Sequence, residues 1–325
     1  MHSDGRAPIL GCAGAQLGAD ERAFFREAAP WGFILFGRNV ETPDQLRRLT
    51  AELRAAVGRD CVILIDQEGG RVQRLRAPYW REWLPPLEQP GGARGHWLRA
   101  RLMAEELRAV GIDGNCAPTC DVAGPQTHPF LRNRCLGTDP QTVAVLARAL
   151  AEGLLAGGVL PVMKHMPGHG RSTADSHLHL PVVTASAAEL EADFAPFRAL
   201  NDLPMGMTAH IRFTALNDAP ATQSARMIGL IRQHIGFDGL LMTDDIAMQA
   251  LSGGMGARAE ASIAAGCDLV LHCNGDPAEM AQVVAGAGAL GPEAARRAAA
   301  ALARRQASEP VDIAALDAEL GALLG

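Results

Sequence analysis

Three observations predict an α/β protein folded as a (β/α)8 TIM barrel. Eight short apolar runs each end in a polar or glycine cluster, and most are followed by a stretch with helical spacing. Strands that alternate with helices are parallel, because parallel neighbours need a crossover and the crossover helices cover the sheet. Eight such units within one chain of 325 residues are what a closed barrel requires. A doubly wound open sheet shares the alternation, but no G-x-G-x-x-G follows the first run.

The runs, in order, are Ala7 to Ala13, Trp31 to Gly37, Cys61 to Ile65, Gly114 to Ala117, Val159 to Met163, Met205 to Ile211, Gly239 to Met242 and Cys267 to Leu271. Asp20 to Ala29 reads as the first helix. Thr42 to Val57 is the second, where Leu46, Leu49, Leu53 and Val57 step by three and four along one face. After a long loop, Trp97 to Val110 is the third. Pro140 to Ala156, Ala187 to Leu200, Ala225 to Ile235, Gly256 to Ala265 and Pro277 to Ala287 complete the set, and the tail after Gly291 reads as helix packed on the outside. No Ser/Gly-rich linker divides the chain, so residues 1–325 are read as a single catalytic domain.

Composition narrows the function classes. With 48% hydrophobic and 20% charged residues the chain can bury a sizeable core, which excludes disorder and collagen. A formal charge of −6 without a long basic run argues against nucleic acid or an anionic membrane as partner and favours a small molecule. No apolar run reaches the length of a membrane span. The stretch from Ile9 to Cys12 superficially matches a lipoprotein cleavage site, yet too little apolar sequence precedes it, so it is read as strand. Seven cysteines, an odd number widely spread, fit reduced structural thiols and a cytoplasmic location. Cys116 and Cys120 have no second pair that would complete a zinc site, and no cofactor motif is present.

A barrel does its chemistry on the loops after the carboxyl ends of its strands, and the unusual polar residues fall there. The third run ends in the segment from Asp66 to Arg74, the fifth in the segment from Lys164 to Gly170, and the seventh in Thr243, Asp244 and Asp245. The second, sixth and eighth end at Phe36 to Asn39, at Thr208 to His210 and at His272 to Gly275. Any one such residue is usually a cap or a salt bridge. Convergence of six strand ends on one axis is the signal.

Four of the ten histidines, His165, His169, His177 and His179, lie within fifteen residues, beside Lys164 and Asp175. They admit a polar loop, a metal site or an acid–base centre. Lys164 would compete with a cation, and no metal-ligand spacing is recognisable, which favours no metal. In the acid–base reading, Asp175 sits two residues from His177 and can orient its imidazole. The best nucleophile candidate is Asp244, held on the rigid end of the seventh strand.

The segments Asp66 to Arg74, Lys164 to Gly170, Asp175 to His177 and Thr243 to Met248, in that order, resemble glycoside hydrolase family 3. Within it the chain is similar to the compact single-domain bacterial β-N-acetylhexosaminidases, over nearly its whole length. The resemblance implies a barrel that removes terminal β-linked N-acetylglucosamine with retention of configuration. It implies Asp244 as nucleophile, His177 as acid/base and Asp175 as the residue that orients and tunes it, with Asp245 bracing the loop. It carries substrate contacts onto Asp66, Arg74, Arg134, Lys164 and His165. Arg134 is placed by the run from Asn133 to Gly137, whose Cys135-Leu136 departs from the Ser-Phe or Ala-Phe usual in the family. The substrate expected is a saccharide or muropeptide from cell-wall recycling, N-acetylglucosamine β-1,4-linked to anhydro-N-acetylmuramic acid, taken by a monomer without cofactor. Aromatic residues make up only 4%, and Trp80, Trp83 and Trp97 are read as core or surface cover rather than sugar platforms. Phosphate instead of water as acceptor, a non-catalytic sugar-binding barrel and a metal-dependent hydrolase are the competing readings.

Overall fold

In the computed structural model, which describes residues 5–176 and 178–325, parallel strands close on themselves in chain order. The strands are β1 (Arg6–Gly11), β2 (Pro30–Leu35), β3 (Val62–Ile65), β4 (Gly114–Asn115), β5 (Leu160–Met166), β6 (Val182–Val183), β7 (Met205–Thr208), β8 (Arg212–Phe213), β9 (Leu240–Asp245) and β10 (Leu269–His272). The barrel runs β1-β10-β9-β7-β5-β4-β3-β2. Strands β6 and β8, each two residues long, pair with each other outside it and correspond to none of the eight expected runs. Every expected run supplies one barrel strand.

The helices are α1 (Ala19–Ala28), α2 (Pro43–Val57), α3 (Gly92–Arg108), α4 (Pro129–Arg132), α5 (Pro140–Ala156), α6 (Ala187–Ala199), α7 (Ala225–Gln233), α8 (Met255–Ala265), α9 (Pro277–Ala287), α10 (Pro292–Ala303) and α11 (Ile313–Leu324). Their starts follow local chemistry. Thr42, Asp139 and Asp276 each accept a hydrogen bond from the backbone N–H three residues on, and each is followed by a proline at the first helical position. Helix α3 begins five residues before the expected Trp97, in a Gly-Gly-Ala-Arg-Gly run that reads as a turn. There Gly95 lies so close to the Pro90 carbonyl that a Cβ would sit 2.0 Å from it, while the Arg94 guanidinium stacks on Trp97 and bonds Glu319 of α11.

Side chains alternate across the barrel wall with the strand period of two. Ile9, Val62, Leu64, Leu240, Met242, Leu269 and Leu271 fill the interior, whereas Leu10, Ile63, Ile65, Leu241 and Val270 face the helices. The tail was expected only on the outside. Ala298 and Ala301 of α10 instead join the interior cluster, so α10 plugs the amino-terminal end and leaves the carboxyl end to the loops. Arg297 of α10 fastens this plug to Asp268 just before β10, at 3.0 Å.

Ile9 to Gly11 are strand, and Cys12 beyond them is buried. All seven cysteines are free thiols. Burial pushes Cys61 up to about 11 and Cys12 up to about 12, which makes them inert packing groups near neutrality. Among the described residues, no helix is long and apolar enough to cross a membrane.

Candidate active site

At the carboxyl end of the barrel lies a cavity of about 290 Å³ whose wall includes Asp66, Arg74, Arg134, Lys164, His165 and Asp244. The chain places these six residues on four separate segments, and closure of the barrel brings them together. Its floor is the top of the interior stack, Ile34, Met207 and Leu271.

The turn after β3 is built to set Asp66 opposite Arg74. Gln67 fastens it from inside: its Oε1 accepts the N–H groups of Arg74 and Leu75 at 2.9 and 3.1 Å, and its Nε2 donates to the Leu75 carbonyl. Gly69 has a φ of 104°, and a Cβ there would lie 2.3 Å from the Leu84 carbonyl, so only glycine fits. Arg74 thus reaches Asp66 at 3.2 Å. Its guanidinium and that of Arg38 flank the ring of Phe36, 5.2 and 5.0 Å from the centroid.

Beneath this pair runs a buried ion network. Lys164 on β5 donates to Asp66 at 2.9 Å and to Glu68 at 2.6 Å, and Glu68 receives both arms of the Arg134 fork at 2.9 and 2.8 Å. Burial works to raise both carboxyls. The cations outweigh it: Lys164 and Arg74 hold Asp66 well below the usual carboxylate range, and Arg134 and Lys164 bring Glu68 down to about 2. Both are anions at neutral pH, committed to cations. Glu68 lies within the segment from Asp66 to Arg74, where nothing local in the sequence says which acid of the turn faces inward.

Asp244 and Asp245, adjacent on β9, divide their duties. Asp245 accepts the N–H groups of Ala247 and Cys273 at 3.0 and 3.2 Å, which makes it the expected loop brace. Asp244 receives the Asp245 N–H at 2.8 Å and, among the described residues, has no arginine or lysine ion pair. Burial raises it, but His165 and His210 beside it, the N–H of Asp245 and Lys164 outweigh that and hold it below the ordinary carboxylate value. Asp245 moves the other way, pushed up by burial and then by the charge on Asp244. Behind them, His210 Nε2 donates to the Asp245 carbonyl at 2.9 Å and Nδ1 meets Thr222 Oγ1 at 2.8 Å, locking the strand end.

On the opposite wall, the loop after β5 runs under the carbonyl of Val122, where a Cβ on Gly170 would lie 2.0 Å away. His169 on that loop is buried against the cavity, and among the described residues both ring nitrogens lack a hydrogen-bond partner. Burial, and next the neighbouring His165, push it down to about 4, so it is neutral at neutral pH. Ser176 reaches the cavity wall. Asp175 is half-buried, and its carbonyl accepts the N–H groups of Leu178 and His179 at 3.1 and 3.0 Å. His177, the expected acid/base, lies outside the described residues. His179 is exposed and does not line the cavity.

The tryptophans behave as expected. Trp83 is buried with its Nε1 donating to Glu106, Trp80 and Trp97 pack on the core, and the aromatic rings on the cavity wall are Phe36 and Phe130. Among the described residues no group of three or more His, Cys, Asp and Glu side chains converges as metal ligands would.

The arrangement sets an ionised carboxylate, without an arginine or lysine ion pair among the described residues, on rigid backbone at one side of a small cavity. Such a site can attack or stabilise an electron-poor carbon, with the charged network holding hydroxyl groups in place.

Comparison with known proteins agrees. The glycosyl hydrolase family 3 N terminal domain matches residues 15–304. The chain is 39% identical over 284 residues to a beta-hexosaminidase of Bordetella avium (strain 197N), covering 82% of this chain and 80% of that protein. It is 40% identical over 274 residues to a beta-hexosaminidase of Methylococcus capsulatus, covering 80% of each. Among solved structures, NagZ from Neisseria gonorrhoeae in complex with N-trifluoroacetyl-D-glucosamine superposes with a TM-score of 0.86 at 32% identity, over 99% of both chains. The barrel, the cavity at its carboxyl end and these likenesses lead to one conclusion: the chain belongs to glycosyl hydrolase family 3 and is a glycoside hydrolase.

Proposed function

We propose that this protein is a retaining β-N-acetylhexosaminidase acting as one catalytic domain. It takes terminal β-linked N-acetylglucosamine from fragments in which that sugar is β-1,4-linked to anhydro-N-acetylmuramic acid, with or without peptide. The observation that carries the reading is Asp244, ionised and, among the described residues, without an arginine or lysine ion pair, facing a cavity otherwise rich in paired charges. At about 290 Å³ the cavity is at the small end for ligand pockets and suits one sugar ring. The NagZ relative binds an N-acylglucosamine analogue, which supports the same ligand class here.

In the first step an Asp244 carboxylate oxygen attacks the anomeric carbon, while the imidazolium of His177 gives its proton to the leaving glycosidic oxygen. A glycosyl ester forms and the aglycone departs as an alcohol. In the second step His177 takes a proton from water, whose oxygen attacks the same carbon and releases Asp244. Asp175 orients His177. Asp66 and His165 take sugar hydroxyls, and Arg74, Arg134 and Lys164 supply donors to polar groups. An imidazole as acid/base keeps a second anion away from the nucleophile.

Water is favoured over phosphate as acceptor because Arg74, Lys164 and Arg134 are each held by Asp66 or Glu68, which among the described residues leaves only the exposed Arg71 on the cavity wall to meet a dianion. Recycling of wall fragments fits a cytoplasmic monomer.

The test is release of chromophore from β-N-acetylglucosaminide and β-glucoside by wild type, Asp244→Ala and His177→Ala, with and without phosphate or chelator. Selective cleavage of the N-acetyl substrate, lost in Asp244→Ala, is expected, and a 5-fluoro glycoside should label Asp244. A silent wild type, or an unimpaired Asp244→Ala, would return the barrel to a binding role.

A further inference from the structure

One buried carboxylate in this site has no role in the chemistry above. Asp121, in the loop after β4, is fully buried and does not line the cavity. Its Oδ2 lies 2.7 Å from His165 Nδ1, and its Oδ1 accepts the His169 N–H at 2.6 Å. Burial alone would raise its pKa. The neighbouring His165 and His169, each donating an N–H to it, outweigh that and hold it below the ordinary carboxylate value. A carboxylate only accepts, so the proton on His165 sits on Nδ1.

The other face of the ring completes the deduction. His165 Nε2 lies 3.4 Å from Nη2 of Arg134, and a guanidinium has donors only. Arg134 cannot turn aside, because Glu68 grips two of its nitrogens. A proton on Nε2 would set two N–H groups against each other, so Nε2 carries a lone pair.

We propose that Asp121 is a positioning residue that fixes the Nδ1–H tautomer of His165, so that this histidine offers the cavity an acceptor and selects a donating sugar hydroxyl. The hydroxyl half of this statement rests on the glycosidase reading; the tautomer half does not. The 3.4 Å approach of Arg134 is long for a hydrogen bond, so a bound hydroxyl displaces little when it takes the lone pair. An amide in place of Asp121 no longer demands a proton on Nδ1, and the ring is then free to turn a donor towards the cavity.

The test uses the whole protein labelled with ¹⁵N-histidine, with His165→Gln to identify the His165 signals. Long-range ring couplings report which nitrogen is protonated. Wild type is expected to carry the proton on Nδ1, and Asp121→Asn to shift it wholly or partly to Nε2. With chromogenic β-N-acetylglucosaminide, Asp121→Asn should lower kcat/KM roughly 10- to 100-fold, the range for losing a hydrogen bond to a charged group, mostly through KM. The 3-deoxy and 4-deoxy glycosides separate positioning from simple damage. Wild type should penalise at least one of them, and Asp121→Asn should lose most of that penalty. A wild-type proton on Nε2 overturns the proposal whatever the activity, and this measurement needs no variant of Asp121 to fold. Unchanged deoxy penalties in Asp121→Asn overturn it as well. An inactive wild type with the proton on Nδ1 would instead mark failure of the glycosidase reading, and the hydroxyl half would fall with it.

Discussion

Replacing Glu68 by Gln removes the anion that, among the described residues, pairs with both Arg134 and Lys164, and leaves Lys164 its ion pair with Asp66. Glu68 is depressed from an ordinary 4.5 to about 2, which corresponds to ~3 kcal/mol of preferential binding to the charged form. Breaking a buried pair by deleting one partner costs about 3–5 kcal/mol, so the two routes meet at the low end. The low end is also the physical expectation, because Lys164 keeps Asp66 at 2.9 Å. With an unfolding entropy of about 2.1 cal/mol/K per residue, ~3 kcal/mol over 325 residues is about 4 °C in Tm. The assay is thermal unfolding of Glu68→Gln beside Glu88→Gln, an exposed carboxylate without an ion pair among the described residues, which should move by less than 1 °C. KM for a β-N-acetylglucosaminide should rise about tenfold, because Arg134 and Lys164 lose their common anchor. A Glu68→Gln protein with Tm within 1 °C of wild type and unaltered KM would refute the claim that this network holds the cavity wall.

Acid should act through the same group: its folded pKa is below its unfolded one, so its stabilisation is complete above about 4.5 and is lost as pH falls towards about 2, and urea midpoints between pH 5 and 2 should fall accordingly, less steeply in Glu68→Gln. Gly170→Ala drives a Cβ to 2.0 Å from the Val122 carbonyl and should destabilise by about 1–3 kcal/mol while lowering kcat, because the loop carrying Asp175 is pushed from its seat; an active variant with wild-type Tm would contradict this. Treatment with a chelator should leave turnover unchanged, and recovery of a lost activity by an added divalent cation would contradict the metal-free mechanism. Thiol labelling of the native protein should be slow at Cys12 and Cys61, whose thiols burial raises to about 12 and about 11, and rapid modification at either site would show that the barrel opens there.

Local physical chemistry decided the elements. The apolar runs became the barrel strands because a strand buried on both faces is apolar throughout, and Thr42, Asp139 and Asp276 with their following prolines marked helix starts from four residues alone. Where local signals conflicted, boundaries slipped: the glycines before Trp97 hid the first turn of α3, which is held by Arg94 reaching Glu319, 225 residues away. The strand-end position of Asp66, Lys164, His165 and Asp244 was legible too, since it follows from where each apolar run stops.

What the order of residues could not reveal was who faces whom. Glu68 and Arg134 are 66 residues apart, Asp121 and His165 are 44 apart, and each pair meets only because neighbouring strands close the barrel. A carboxylate in a loop is equally consistent with solvent, a cap or an ion pair until its burial is known, because the free energy of a charge depends on the partners and dielectric around it. The sequence by itself therefore determined the fold, the family and the ring of polar strand ends. Tertiary structure alone decided that Asp66 and Glu68 are spent on cations, that Asp245 braces backbone, that Asp121 serves His165, and that Asp244 is left ionised and available, since those are consequences of distance in space and not along the chain.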